Sequence, residues 1–383
     1  MTNDVLKLGF IGGGINSAVG MTHFIAAQMD GRFRVEAGCF SRNAETNTQT
    51  AQQWGIPLNR VYNNGTELLA HEQNHLDAIV VLTPTPDHVD PVLSALRSGF
   101  PVICEKALTA SSAEARTIQH AVIEQQGFLA VTYNYTGYPM LRELKNMIAQ
   151  GYLGRIEQIH IEMPQEGFAR LNRNGEPMVP QQWRLRDAEV PTISLDLGVH
   201  IHHLVDFLTG EKPYELVAVQ NSLGTFRQVV DNTMAIVRYT HDLDCSIWFS
   251  KAALGYRNGL RIRVFGDRAS TEWYQMDPEF LIHHDNKGHK TVIDRASADV
   301  ELAQLQRYNR FKSGHPAGFL EAFANLYWDI AESLQQYRMT RQQSNCQYVF
   351  NTQHALEGLI MLEAIAQSSN QQCWKTVDIR SQL

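Results

Sequence analysis

Through residue 131 the chain alternates short apolar runs with stretches of helical spacing, and this alternation limits the possible folds more than any other feature. The runs "LKLGFIG", "RVEAGCFS", "LDAIVVLTP", "PVICEKALT" and "FLAVTYNY" read as strands; "AVGMTHFIAAQM", "HVDPVLSALRSG" and "SAEARTIQHAVIEQQ" read as helices between them. Strands that are apolar along their whole length must be covered on both faces. Helices that alternate with them supply that cover, so a parallel sheet is expected.

After about residue 155 the pattern changes. "RIEQIHIEM", "YELVAVQNSLG", "NTMAIVRYTHDLDCSIWFSKA" and "GLRIRVFGDRASTEWY" follow one another closely and read as strands of an antiparallel sheet, and "GFLEAFANLYWDIAESLQQY" reads as a long amphipathic helix. A chain of 383 residues exceeds what one core ordinarily serves. Two α/β domains are expected, over residues 1–131 and 132–383.

Charge and cysteine usage narrow the function classes. The net charge of -7 and the lack of a dense basic patch argue against nucleic acid or an anionic membrane as partner. Five scattered cysteines without a CxxC pair support neither a disulfide framework nor a cysteine zinc site. "MTNDVLKLGF" carries no export signal, and a cytoplasmic protein is expected.

The first strand runs into "GFIGGGINSAVGMTH". Glycines there let the backbone approach a pyrophosphate, while the following helix presents free N–H groups to it. Gly12 and Gly14 fill the first two positions of the dinucleotide pattern, Ser17 stands where the third glycine belongs, and Gly20 comes three residues later. The expectation is a Rossmann-type domain binding NAD or NADP. At the end of the second strand Ser41 and Arg42 replace the usual carboxylate, and an arginine suits the extra phosphate of NADP or stacks on adenine. "VICEKALT" ends a buried strand with Glu105 and Lys106, where an α/β sheet places its ligands.

With "LTPTPDHVDPVLSALRSGFPVICEKALT" and "LDLGVHIHHLVDFLTG" in the same order and spacing, the chain resembles the glucose-fructose oxidoreductase and inositol dehydrogenase family over essentially its whole length. The resemblance implies a Rossmann domain followed by an α/β domain with a large, mainly antiparallel open sheet. It implies that Lys106 contacts the nicotinamide region and a substrate hydroxyl, and that Asp196 and His200 are the catalytic pair. Expected cofactor contacts are Gly12, Gly14, Ile15, Asn16, Ser41, Arg42, Thr83, Pro84, His88, Glu105 and Lys106. Two departures stand out: Ala107 replaces the signature proline, whose preceding bond is often cis in the family, and His203 replaces an aspartate found in many relatives. The substrate class implied is a sugar, cyclic polyol or sugar derivative, and the assembly a homodimer or homotetramer.

At about 100° per residue, Leu197, Ile201, Leu204 and Leu208 form one core-facing stripe. Asp196, His200 and His203 share a second face, and His202 is expected to point to solvent or an interface. A carboxylate four residues before an imidazole can orient it for proton transfer, and histidine titrates in the range such a shuttle needs. Zinc on Asp196, His200 and His203 is allowed by spacing but not expected, because lysine and nicotinamide already supply the electrophilic help. Asn134, Tyr135 and Tyr138 after the last Rossmann strand, and Trp183 and Arg184 in "QQWRLRD", are candidate substrate contacts, with packing as the alternative. His315 is read as structural. Alternatives to a dehydrogenase are a non-enzymatic dinucleotide-sensing regulator and a sugar-transforming enzyme with a tightly bound cofactor.

Overall fold

Five short apolar runs form the first sheet: β1 (Leu6–Gly12), β2 (Phe33–Cys39), β3 (Ala78–Leu82), β4 (Val102–Glu105) and β5 (Leu129–Thr132). All pair in parallel, in the order β2-β1-β3-β4-β5. β3, β4 and β5 are buried at every position, as strands covered on both faces must be. The connections carry α1 (Gly20–Gln28), α2 (Ala44–Trp54), α3 (Gly65–His71), α4 (Val89–Arg97) and α5 (Ser112–Glu124). Three of these helices start on side-chain caps: Asn43 accepts from the Thr46 N–H, Asn64 from Glu67 and Ser111 from Glu114. A cap satisfies one of the amides that a helix start leaves without a partner.

In this computed structural model, which describes residues 4–379, residues 4–137 and 319–356 gather into one unit and residues 138–318 and 357–379 into a second. The sequence expectation placed everything after residue 131 in the second domain. The helix α8 (Phe319–Thr340) instead packs on α1 and on the short 3-10 turn Asn134–Gly137. Gly137 lies so close to Ala322 that a Cβ would run into its carbonyl. A returning segment of this kind leaves no mark at the boundary that linear punctuation suggests.

The second unit holds α6 (Pro139–Ala149), α7 (Val199–Thr209) and a nine-stranded sheet. Its strands are β6 (Ile156–Pro164), β7 (Pro213–Asn221), β8 (Asn232–Tyr239), β9 (Leu243–Ser250), β10 (Arg261–Gly266), β11 (Ala269–Tyr274), β12 (Phe280–Asp285), β13 (Lys290–Asp294) and the two-residue β14 (Lys375–Thr376). The order is β13-β12-β11-β10-β6-β9-β8-β7-β14, and only β6 and β9 pair in parallel. "NTMAIVRYTHDLDCSIWFSKA" resolves into a hairpin whose turn residues His241 and Asp242 have φ of 55° and 59°, the left-handed region that suits a tight hairpin turn. The helix α9 (Thr352–Gln371) meets the edge of β7 beyond the short β14 pairing, where Ser368 and Ser369 Oγ accept from the Ala218 and Gln220 N–H groups. Among the described residues no helix is long and apolar enough to cross a membrane, and none of the five cysteines forms a disulfide.

Candidate functional site

Chain direction reverses across the first sheet at β1, which β2 and β3 flank, and the crevice beyond its carboxyl end is where such a sheet takes a ligand. Gly12 and Gly13 there have φ of 83° and 76°, and a Cβ on Gly12 would lie 2.8 Å from the Thr83 amide nitrogen. Both positions therefore demand glycine. Gly14 donates its N–H to the Phe40 carbonyl at 3.0 Å, and Ile15 donates to Thr50 Oγ1 at 3.2 Å, so the turn is tied to the neighbouring β2 segment and α2. Asn16 is exposed at its tip.

The irregular spacing has a structural reason. α1 begins only at Gly20, where a Cβ would collide with the Gly13 carbonyl; Gly20 thus does the close-packing work of the pattern's third glycine. Ser17 accepts from the Val19 and Gly20 N–H groups at 3.3 and 3.2 Å and supports the turn that delays the helix.

Arg42 is 90% exposed at its side chain and reaches Asp87 at 3.3 Å, across from β2 to the loop that follows β3. Ser41 Oγ accepts from the Asn43 N–H. Thr83 and Pro84 are half-buried at the end of β3, and Thr83 Oγ1 donates to the Asp87 carbonyl. His88 is buried, with Nε2 2.7 Å from the Thr83 carbonyl and Nδ1 2.9 Å from that of Ala107. Burial pushes this imidazole below its usual pKa. His88 was read as a cofactor contact or a helix cap; it stands at the N-cap of α4 without a side-chain cap bond, and its buried ring stitches the β3 loop to the turn after β4.

That turn carries Lys106, half-buried, and its peptide bond to Ala107 is cis. Glu105 is buried and accepts from Thr132 and from His23 Nε2, the latter at 3.0 Å; His23 Nδ1 meets Tyr327 OH at 2.8 Å. Burial pushes the Glu105 carboxyl up, but His23, the Lys106 charge and Thr132 outweigh it and hold it below the usual carboxylate range. After β5, Asn134 is buried and its Nδ2 has no acceptor among the described residues, so a donor remains for a bound polar group. Tyr135 is buried against the edge of Phe319. A tight cradle that excludes any Cβ, with a helix start behind it, fits a dinucleotide.

The second unit carries the histidine segment, and here the helical wheel fails. Ser194–Gly198 form a π turn, in which the Val199 N–H reaches back five residues to Ser194, so Asp196 sits one residue out of phase with the helix that follows. Every residue of α7 from Val199 to Leu208 is buried. Leu197, Ile201, Leu204 and Leu208 do face the core, but so does the rest of the helix. His202, expected to point to solvent or an interface, is instead 1% exposed within its own unit, and a Cβ on Gly358 of α9 would stand 3.3 Å from its ring. A helix enclosed on all sides has no wet face for a wheel to predict. His200 and His203 are buried as well.

Asp196 is the half-buried member of the group. Its Oδ2 accepts from Arg184 and from Lys251, a residue that sequence reasoning missed. Lys251 follows β9 directly, so it shares with Lys106 the one available signal, a lysine directly at the end of a strand. Its ammonium also lies 5.3 Å from the Phe168 ring. Arg184 covers Trp183 at 4.4 Å, and Trp183 donates its indole N–H to Gln181. Among the described residues no three His, Cys, Asp or Glu side chains gather as a metal group. Tyr138 packs on Trp273 and accepts from Gln275, and His315 stacks on Phe311 ahead of α8.

Comparison with known proteins agrees with both halves. Residues 6–133 match the oxidoreductase family with NAD-binding Rossmann fold, and residues 141–272 match the GFO/IDH/MocA C-terminal domain. The chain is 28% identical to the uncharacterized oxidoreductase YfiI of Bacillus subtilis, over 96% of this chain and 95% of that one. It is 22% identical to an inositol 2-dehydrogenase of Rhizobium meliloti, over 84% and 86%. An inositol dehydrogenase homolog from Azotobacter vinelandii, solved with NADH and myo-inositol, superposes with a TM-score of 0.87 at 25% identity, over 97% of this chain and 98% of that one. The chain belongs to the GFO/IDH/MocA family of NAD(P)-dependent oxidoreductases.

Proposed function

We propose that the protein oxidises or reduces a secondary hydroxyl or ketone of a sugar, cyclic polyol or sugar derivative. When bound, the nicotinamide supplies the hydride acceptor or donor. Lys106, at the carboxyl end of β4, stabilises negative charge on the reacting oxygen; His200 moves the hydroxyl proton; Asp196, held by two cations, is its partner in that step. The observation that carries this reading is Asp196, a carboxylate held by both Arg184 and Lys251 on the π turn that leads directly into the buried His200, since so many ionisable groups gathered in one enclosed segment are unusual without chemical use. The Azotobacter relative's bound myo-inositol and the Rhizobium relative's name support a polyhydroxylated ring as substrate.

The glycine turn with Ile15, Asn16, Ser41, Arg42, Thr83 and Pro84 holds the dinucleotide in this reading. Asn134, Tyr135, Trp183, Arg184 and His203 are the substrate contacts. NADH or NADPH absorbance tests it with a panel of inositols, levoglucosan, aldoses and their ketones. Turnover of at least one compound is expected. Binding of NAD and NADP without any turnover across the panel would favour a cofactor-sensing regulator.

The outer face of β7 and β8 supports a homo-oligomer: Val219 and Met234 pair across the strands and are 56% and 57% exposed, and Ile236 beside them is 52% exposed. Adjacent large apolar residues on an open sheet face are what a second copy would cover. Light scattering should give a dimer or tetramer mass. The unbridged cysteines suit the reducing cytoplasm, where we place the protein.

A further inference from the structure

Behind Glu105 lies a hydrogen-bond chain that the proposed reaction does not itself use. His23 is 0% exposed on α1, with Nε2 at Glu105 and Nδ1 at Tyr327 of α8. An ionised carboxylate only accepts, so Nε2 carries a proton toward Glu105, while Nδ1 lies within hydrogen-bond distance of the Tyr327 hydroxyl. Phe323 meets the His23 ring edge-on at 4.8 Å and Tyr327 does so at 5.8 Å, so aromatic walls fix the ring plane. Thr132 of β5 donates to the same carboxylate oxygen as His23. Gly20 lets α1 begin against Gly13 and so delivers His23, one turn later, beneath the end of β4.

We propose that Tyr327 and His23 are positioning residues: their hydrogen-bond relay, linking the tyrosine hydroxyl through the imidazole to Glu105, aims and anchors the carboxylate next to Lys106 and thereby fixes the turn that presents the lysine. The proposal rests on the reading of Lys106 given above. It also accounts for the long return of the chain from the second unit, because α8 brings Tyr327 and Phe323 to α1. The groups that face Glu105 are His23 from α1, Thr132 from β5, Lys106 and Cys104 from its own strand end and His88 from the start of α4, with Tyr327 behind His23.

Infrared difference spectra against pH, referenced to Glu105→Gln, follow the Glu105 carboxyl without any substrate. His23→Phe should raise its proton affinity at least about tenfold, Tyr327→Phe less, and His23→Gln, which keeps an N–H donor, should recover most of the change. With the best compound of the panel, the acid limb of kcat should move in step across the same variants while NAD affinity holds. Tyr327→Phe preserves the buried shape, so the test survives a His23→Phe chain that fails to fold. An unmoved Glu105 midpoint in His23→Phe or Tyr327→Phe, a midpoint displaced as far in His23→Gln as in His23→Phe, or an acid limb that stays put while the midpoint moves, overturns the relay. Lys106→Met separates the two failures: full turnover there sinks the functional reading, whereas loss of turnover there with an unmoved midpoint sinks only the relay.

Discussion

The turn between β1 and α1 and the segment from the π turn into α7 are both rich in functional candidates, yet they are encoded differently. In the first, Gly12, Gly13 and Gly20 are needed by backbone conformation and by close approach, constraints that act within a few residues and read directly from sequence. In the second, a helix buried on every side carries three histidines, and what each one does depends on neighbours remote in the chain, such as Gly358 for His202 and Lys251 for Asp196. Local backbone demand is legible; all-round burial erases the periodicity by which a side chain's direction is inferred.

The largest effects should test chemistry at both places. General acid/base and electrostatic groups contribute about 10² to 10⁴ in rate, so Lys106→Met and His200→Ala should each lower kcat by that much on the best panel compound. Equal, small losses in both would dissolve the distinction between catalytic and structural residues. Gly20→Ala probes the backbone-coded turn: its Cβ meets the Gly13 carbonyl, which cannot yield as a side chain does, so NAD affinity should fall by about tenfold or more with a lower Tm. Unchanged calorimetric affinity would show that α1 can slide away.

His202→Ala sharpens the burial-coded side. Exposure would have made it silent, but a fully enclosed ring leaves a cavity on truncation, so chemical denaturation should show a loss of about 2–4 kcal/mol with residual kcat near wild type. A loss within about 0.5 kcal/mol would restore the solvent-facing assignment.

Acid stability should separate the units as well. Glu72, buried and paired with Arg60 and Tyr62, is pushed up by burial but held below its usual value of 4.5 by those partners. A carboxyl with a depressed folded pKa stabilises fully above about pH 4.5 and loses that contribution as pH falls through the folded value. Glu72→Gln should therefore lower Tm at pH 7 and flatten its decline below pH 4.5; parallel curves for both proteins would remove Glu72 from the account. The smallest effect is cofactor choice. Arg42 is exposed and lightly paired with Asp87, so Arg42→Ala should weaken NADP several-fold more than NAD, and equal changes would show that the guanidinium meets neither ribose.

Much of the fold was legible for physical reasons. The strands β1, β3, β4 and β5 are apolar runs between helical spacings, and the change of pattern after residue 155 matches the start of β6 at Ile156. The return of α8 to the first unit was not legible, since the contacts of Tyr327 with His23 and of Ala322 with Gly137 join residues far apart in sequence. Lys106 and Asp196 were singled out as candidates by strand-end position and resemblance. Lys251 carried the same strand-end signal as Lys106 and was passed over because no motif surrounds it. His88 looked like a loop ligand because a polar run hides burial: nothing local shows that the carbonyls of Thr83 and Ala107 take up its two nitrogens.

The division of labour, with the glycine turn binding nucleotide and the α7 histidine serving the proton, is tested most directly by measuring NAD affinity and turnover together in His200→Ala. Calorimetry should give an NAD dissociation constant within about twofold of wild type while kcat falls by about 10² to 10⁴. Turnover retained near the wild-type rate, or turnover lost only in proportion to lost NAD binding, would contradict it.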